Sequence, residues 1–119
     1  MSDTASSQLT ITPVSDRVHI LFDDAEIVST LNAVRLEEPG REPRVFVPLD
    51  DVHPGILETS ETTASDEQRG DAHYYTIKTL TADGPDEAWY YPYADGPYRP
   101  IRDLVTFGGD RVQISFTEV

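Results

Sequence analysis

Apolar residues recur at every second position through much of this chain, and that period constrains the fold more than any other feature. Val18, Ile20 and Phe22 alternate with Arg17, His19 and Leu21, and Val34 and Leu36 alternate with Arg35 and Glu37. Val112, Ile114 and Phe116 oppose Arg111, Gln113 and Ser115, while Val45, Val47 and Leu49 form a further set with Phe46 directed the other way. Successive side chains of an extended strand point to opposite faces, so this pattern buries one face of a strand and not the stripe of a helix. Turn formers stand between or beside the runs: Asp23-Asp24, Glu38-Pro39-Gly40, Asp83-Gly84-Pro85-Asp86 and Gly108-Gly109-Asp110. Each of the 9 prolines fixes φ and removes a donor, which leaves room for short helical turns only, at Asp50-Asp51-Val52 and over Pro100 to Leu104. The expected fold is therefore mainly β, a single small domain of about eight short antiparallel strands. Tyr74 to Leu80 and Ala88 to Tyr93 are expected to form a hairpin across the Asp-Gly-Pro-Asp turn.

A chain of 119 residues accommodates one domain. Residues 1–12 are expected to be a loosely attached tail, and 13–119 the β domain. Met1 to Gln8 has neither the positive start nor the apolar stretch of a signal peptide, which points to a cytoplasmic protein. The chain holds no cysteine, which removes disulfides, thiolate metal sites and cysteine nucleophiles together. Its formal charge of −13, from 22 acidic and 9 basic residues, repels a phosphate backbone, and no basic patch offsets it. No nucleic-acid partner is expected. Nor is a membrane, because the sequence has no long apolar run and no basic amphipathic helix. Lys78 is the sole lysine; a saline habitat and an arginine-favouring genome would each produce that bias.

The clustering of aromatic residues is the strongest pointer to chemistry. Trp89, Tyr90, Tyr91 and Tyr93 lie within five positions, and Tyr74-Tyr75 lie on the strand expected to pair with them. Alternation sends Trp89 and Tyr91 to one face. They read either as cross-strand core pairs or as the wall of a pocket for a planar or cationic ligand. Upstream, Glu58 to Asp71 is a polar segment rich in hydroxyls and carboxylates, read as a loop at a pocket mouth or as a solvated connection. The ligand-binding set this predicts is Trp89, Tyr75 and Tyr91 as aromatic wall, with Thr63, Asp66, Arg69 and His73 as polar contacts. No catalytic set is assigned. An alternative is an enzyme with His73 as general acid/base beside Asp66 or Asp71, and another is an interaction module that self-associates through an edge strand or the aromatic surface. His19, His53 and His73 lack metal-ligand spacing, Asp23-Asp24 and Asp50-Asp51 lack the calcium-loop pattern, and no phosphate-cradling glycine motif or nucleophile elbow is present. No metal and no cofactor are expected.

Several of these segments, taken in order, resemble a known family. Phe46-Val47-Pro48 with Asp51-Val52, Ser60-Glu61-Thr62-Thr63, Gly70-Asp71-Ala72-His73-Tyr74-Tyr75-Thr76, Ala88-Trp89-Tyr90-Tyr91-Pro92, Val105 to Phe107 and Asp110-Arg111-Val112 resemble the bacterial domain-of-unknown-function 427 (DUF427) family from about Arg17 onward. The resemblance implies a β-tent, or Mss4-like, fold, in which small antiparallel sheets meet at an angle around a pocket. Where the family usually carries a Cys-Pro-aromatic-Lys stretch, this chain has Asp66-Glu67-Gln68-Arg69, so thiol chemistry does not carry over, although Arg69 keeps a cation at the fourth position. The family's nucleotidyltransferase-like label finds no clustered acidic metal ligands or phosphate cradle in this sequence.

Overall fold

The computed structural model describes residues 9–119 and is mainly β: ten strands and two short 3-10 turns. β1 (Thr10–Pro13), β4 (Val34–Glu37), β5 (Arg44–Pro48), β9 (Leu104–Phe107), β8 (Asp83–Tyr90), β7 (Ala72–Lys78) and β6 (Leu57–Ala64) lie side by side in that order as one sheet. β2 (Arg17–Phe22) sits between β10 (Val112–Thr117) and β3 (Ala25–Thr30) in a second sheet. All strand pairings are antiparallel.

The alternation places the side chains as expected. Val18, Ile20 and Phe22 point from the small sheet onto Val45, Val47, Ile77, Ala88, Val105 and Phe107 of the large one, forming the principal core. Phe46, between Val45 and Val47, points the other way and is fully buried too, because the far face of the large sheet is also covered. There Leu36, Phe46, Ala72 and Tyr91 pack under Ala94, Tyr98 and Ile101, which the segment after β8 lays across the sheet. That segment contains a 3-10 turn over Gly96–Ile101, opened by Pro97, whose lost N–H costs nothing in a first turn. The large sheet is thus sandwiched: the small sheet on one face and an irregular strap on the other.

Several expectations need correction. The tail boundary after residue 12 falls inside β1, whose Ile11 pairs with Leu36; the rest of the expected tail, 1–8, lies outside the described residues. The first half of the polar segment from Glu58 is not a loop, since Leu57–Ala64 is an edge strand exposed for most of its length. An edge strand with both faces near solvent needs no apolar alternation, so the period-two signal was missing. The helical turn expected from Pro100 begins earlier, at Gly96, and Leu104 already belongs to β9. Leu49 leaves the strand period for a 3-10 turn over Leu49–Asp51 and is 46% exposed.

The β7–β8 hairpin exists, but its turn lies at Thr79 to Ala82, where the Thr79 N–H and hydroxyl both donate to the Ala82 carbonyl. Asp83-Gly84-Pro85-Asp86 lies in β8 itself, at an irregularity where the register shifts between Tyr75 and Ile77. Asp86 has φ 58° there, and Pro85, which has no N–H for the ladder, is tolerated beside the interruption. Gly84 is required by contact: a Cβ on it would sit 2.7 Å from the buried ring of Phe22.

Candidate functional site

On the strap-covered face, one arginine gathers three side chains that are distant in sequence. Asp66 starts a tight turn in which its Oδ1 accepts the N–H groups of Gln68 (3.0 Å) and Arg69 (2.9 Å), and its carbonyl accepts that of Gly70 (3.0 Å). Gly70 takes φ +83°, which a residue with a side chain adopts only with strain. The turn directs Arg69 inward until only 3% of it is exposed. Its guanidinium lies 5.3 Å from the centre of the Tyr91 ring and 5.9 Å from that of Tyr98. It donates to the Tyr91 hydroxyl (3.2 Å) and to the Glu38 carboxylate. Its Nε is buried and has no partner among the described residues. Trp89 Nε1 donates to the same Tyr91 hydroxyl at 3.1 Å, and the Arg44 guanidinium covers the Trp89 ring at 4.8 Å.

Glu38 follows β4 and opens a turn with Pro39 and Gly40, closed by the Arg41 N–H on the Glu38 carbonyl at 3.3 Å. The turn holds its side chain over the sheet, where only 7% is exposed. One oxygen accepts from Arg69, with Arg41 at 3.8 Å, and the other accepts the Tyr98 hydroxyl at 2.5 Å. An open cleft of about 510 Å³ lies over this pair. Leu9, Pro39 and Pro97 give it an apolar side; Glu38, Gln68 and Asp95 give it a polar side, and Tyr98 contributes to both. Most ligand sites combine a largely apolar surface with a few placed polar groups in this way.

The ionisation states follow from these contacts. Burial pushes the Glu38 carboxyl up, but the hydrogen bonds from Tyr98 and Arg69 and the charges of Arg69 and Arg41 outweigh it and hold the group below its ordinary value. Burial likewise raises Asp66, and the Arg41 hydrogen bond with the Arg69 and Gln68 N–H groups reverses it to a lowered value. Tyr98 is pushed up to about 12, first by burial and then by its bond to Glu38. At neutral pH the cleft therefore presents a fixed carboxylate and a protonated phenol. Stability should fall on both sides of a plateau. Below about pH 5 the unfolded chain takes up protons that Glu38 and Asp66 resist in the folded state, so their contribution is lost as pH falls through their lowered values. Above about pH 10 the unfolded chain loses a proton that folded Tyr98 keeps, so that contribution fades as pH rises towards its folded value. Thermal midpoints measured against pH in high salt, which screens the net charge, should show both limbs; Tyr98→Phe should flatten the alkaline one.

The seven residues expected to bind a ligand do not share one wall. Trp89, Tyr91, Arg69 and Asp66 come together on the strap-covered face, behind and beside the cleft. Tyr75 and His73 point to the opposite face, where Tyr75 stacks on Tyr90 with centroids 5.2 Å apart and His73 packs against Tyr90 and Tyr93. Thr63 pairs across the ladder with His73 and shares that face. Asp66, one carboxylate expected beside His73, is instead bonded to Arg41 at 2.9 Å. Glu38, Gln68, Asp95 and Tyr98 line the cleft and are outside the expected binding set, Gln68 having entered only as part of the polar segment. Glu38 and Asp95 look like ordinary turn residues in the sequence, and nothing local marks them as meeting across the fold. Among the described residues no group of three or more metal-ligating side chains comes together.

Fold and site together define a small antiparallel β domain with a half-apolar surface cleft backed by a buried Arg–Glu–Tyr network. A family model described as a domain of unknown function, DUF427, matches residues 10–118, and the chain belongs to that family. No curated protein matches it. Among the described residues no helix is long and apolar enough to cross a membrane.

Proposed function

We propose that the domain binds a small, partly apolar ligand in the cleft bounded by Glu38, Gln68, Asp95 and Tyr98. The supporting observation is Glu38: a nearly buried carboxylate, held ionised and fixed in direction by Arg69 and Tyr98, beside the apolar side formed by Leu9, Pro39 and Pro97. A carboxylate locked in place loses little freedom when a ligand donates to it, so its hydrogen bond costs less entropy than one from a free side chain. Trp89, Tyr91 and Arg69 support the site from behind and need not touch the ligand. Asp66 acts through the turn that carries Gln68.

The test is a fragment screen on isotopically labelled protein, with fragments spanning cationic, neutral and anionic compounds. Binding should shift the amide resonances of Gln68, Asp95 and Tyr98 before any on the far face. Gln68→Trp, which fills the cleft from an exposed position, should abolish those shifts while leaving the rest of the spectrum in place. Fragments that perturb only His73, Tyr75 and Tyr93 would move the site to the other face and overturn this reading.

A further inference from the structure

We infer that the ligand of this cleft is an organic cation, an ammonium or amidinium on a compact apolar body; the inference rests on the proposed use of the cleft as a binding site. The charge of the lining carries it. Glu38 and Asp95 both line the cleft, Gln68 adds an amide, and among the described residues no lysine or arginine lines it. The nearby arginines all act from outside the lining. Arg69 and Arg41 hold Glu38, and Arg99 and Arg102 each reach Asp95 Oδ1 at 3.4 Å.

These partners leave acceptor capacity. A carboxylate offers about four lone-pair positions. One Glu38 oxygen takes Arg69 and the other takes Tyr98, while Asp95 Oδ2 has no partner among the described residues. A donor-rich group entering the cleft completes these oxygens. An anion entering the cleft would meet Glu38 and Asp95 in the lining, whereas the four arginines that pair with them stand outside it. A bare metal ion fits poorly, since hard cations take six or more oxygens and no group of three metal-ligating side chains assembles among the described residues. Leu9, Pro39 and Pro97 then supply the surface for an apolar body, which a small inorganic cation would leave unused.

Benzylamine, benzyl alcohol and benzoate share one body and differ in charge, so titrating each into labelled protein separates charge from shape. Benzylamine is expected to shift the Gln68, Asp95 and Tyr98 amides with a Kd about 10-fold below that of benzyl alcohol, and benzoate to leave them unmoved. High salt should narrow the gap between the first two. Asp95→Asn, a change at an exposed residue outside the core, should weaken benzylamine by up to about 5-fold and so narrow its lead over benzyl alcohol. Equal affinity for benzylamine and benzyl alcohol at the same resonances would overturn the cation while leaving the cleft as a binding site. Tighter binding of benzoate would do the same. Silence of these resonances towards all three compounds, together with a fragment screen silent at the cleft, would overturn the cation and the cleft together.

Discussion

Replacing Arg69 with methionine is expected to cost about 3–5 kcal/mol of stability, the usual result of removing one partner from a buried ion pair. For a domain of this size that should lower the thermal midpoint by roughly 10–20 °C. The loss does not measure the attraction between Arg69 and Glu38. It arises because Glu38, 7% exposed, stays behind as a charge with Tyr98 as its remaining close donor, while Arg41 stands off at 3.8 Å. Tyr91 loses a donor as well, though Trp89 Nε1 still reaches its hydroxyl. Two further variants separate these causes. Arg69→Lys keeps the charge but loses the fork that bonds Glu38 and Tyr91 together, so it should fall well short of wild type. Glu38→Gln in the Arg69→Met background removes the stranded charge and should recover at least half of the loss, a coupling visible in a double-mutant cycle. If the single Arg69→Met change cost less than about 1 kcal/mol, the pair would be behaving as a screened surface pair and Glu38 would not be a fixed carboxylate. The proposed ligand site would then lose its support.

This network also shows where a sequence can be read and where it cannot. The strands that form the principal core were legible because each has one buried and one solvent-facing side, as in Val18, Ile20 and Phe22 against Arg17 and His19. β6 was not, because its outward-facing residues Thr62, Thr63 and Ala64 answer to solvent and not to a core. β3 escaped for another reason: it buries Ile27 and Val28 in succession across an irregularity between Ile20 and Leu21, which breaks the period. In β8, Gly84 and Pro85 carry the marks of a turn, yet one is there for close contact with Phe22 and the other beside a register shift. Composition cannot distinguish those uses from a true turn. The candidate site was legible by halves. Arg69, Trp89 and Tyr91 stood out by residue type, and alternation correctly put Trp89 and Tyr91 on one face. Tyr75 is separated from them by the register, which pairs it with Ala88 rather than Trp89, and alternation along a single strand does not fix that register. Glu38 lies 31 residues from Arg69 and 60 from Tyr98, and only the path of the strap across the sheet brings the three together.

The second large effect belongs to the principal core, where Phe22 of the small sheet meets Gly84 of the large one. Phe22 is fully buried, with the Arg111 guanidinium over its ring at 4.9 Å, and the bare backbone of Gly84 lies against the ring's far edge. Phe22→Ala should cost about 3–5 kcal/mol through lost burial and the cavity left between the sheets. Gly84→Ala should cost about 1–3 kcal/mol for the opposite reason: its Cβ would lie 2.7 and 2.8 Å from Phe22 Cε1 and Cζ, and a ring packed on every side cannot withdraw. The same Cβ also meets Glu87 Oε1 at 3.0 Å, but a carboxylate at the end of a flexible side chain can shift by a few tenths of an ångström. The ring is thus the obstacle that matters. If so, the two substitutions cannot be additive. In the Phe22→Ala background the added methyl enters space that the ring has vacated, so Gly84→Ala should become close to neutral or slightly stabilising. Denaturant unfolding of the four proteins in the cycle should give a coupling of about 1–3 kcal/mol, with the double variant more stable than the sum of the single losses allows. A methyl that costs the same with and without the ring would mean that Gly84 is required by Glu87, and that the Phe22 contact does not set the spacing of the two sheets here.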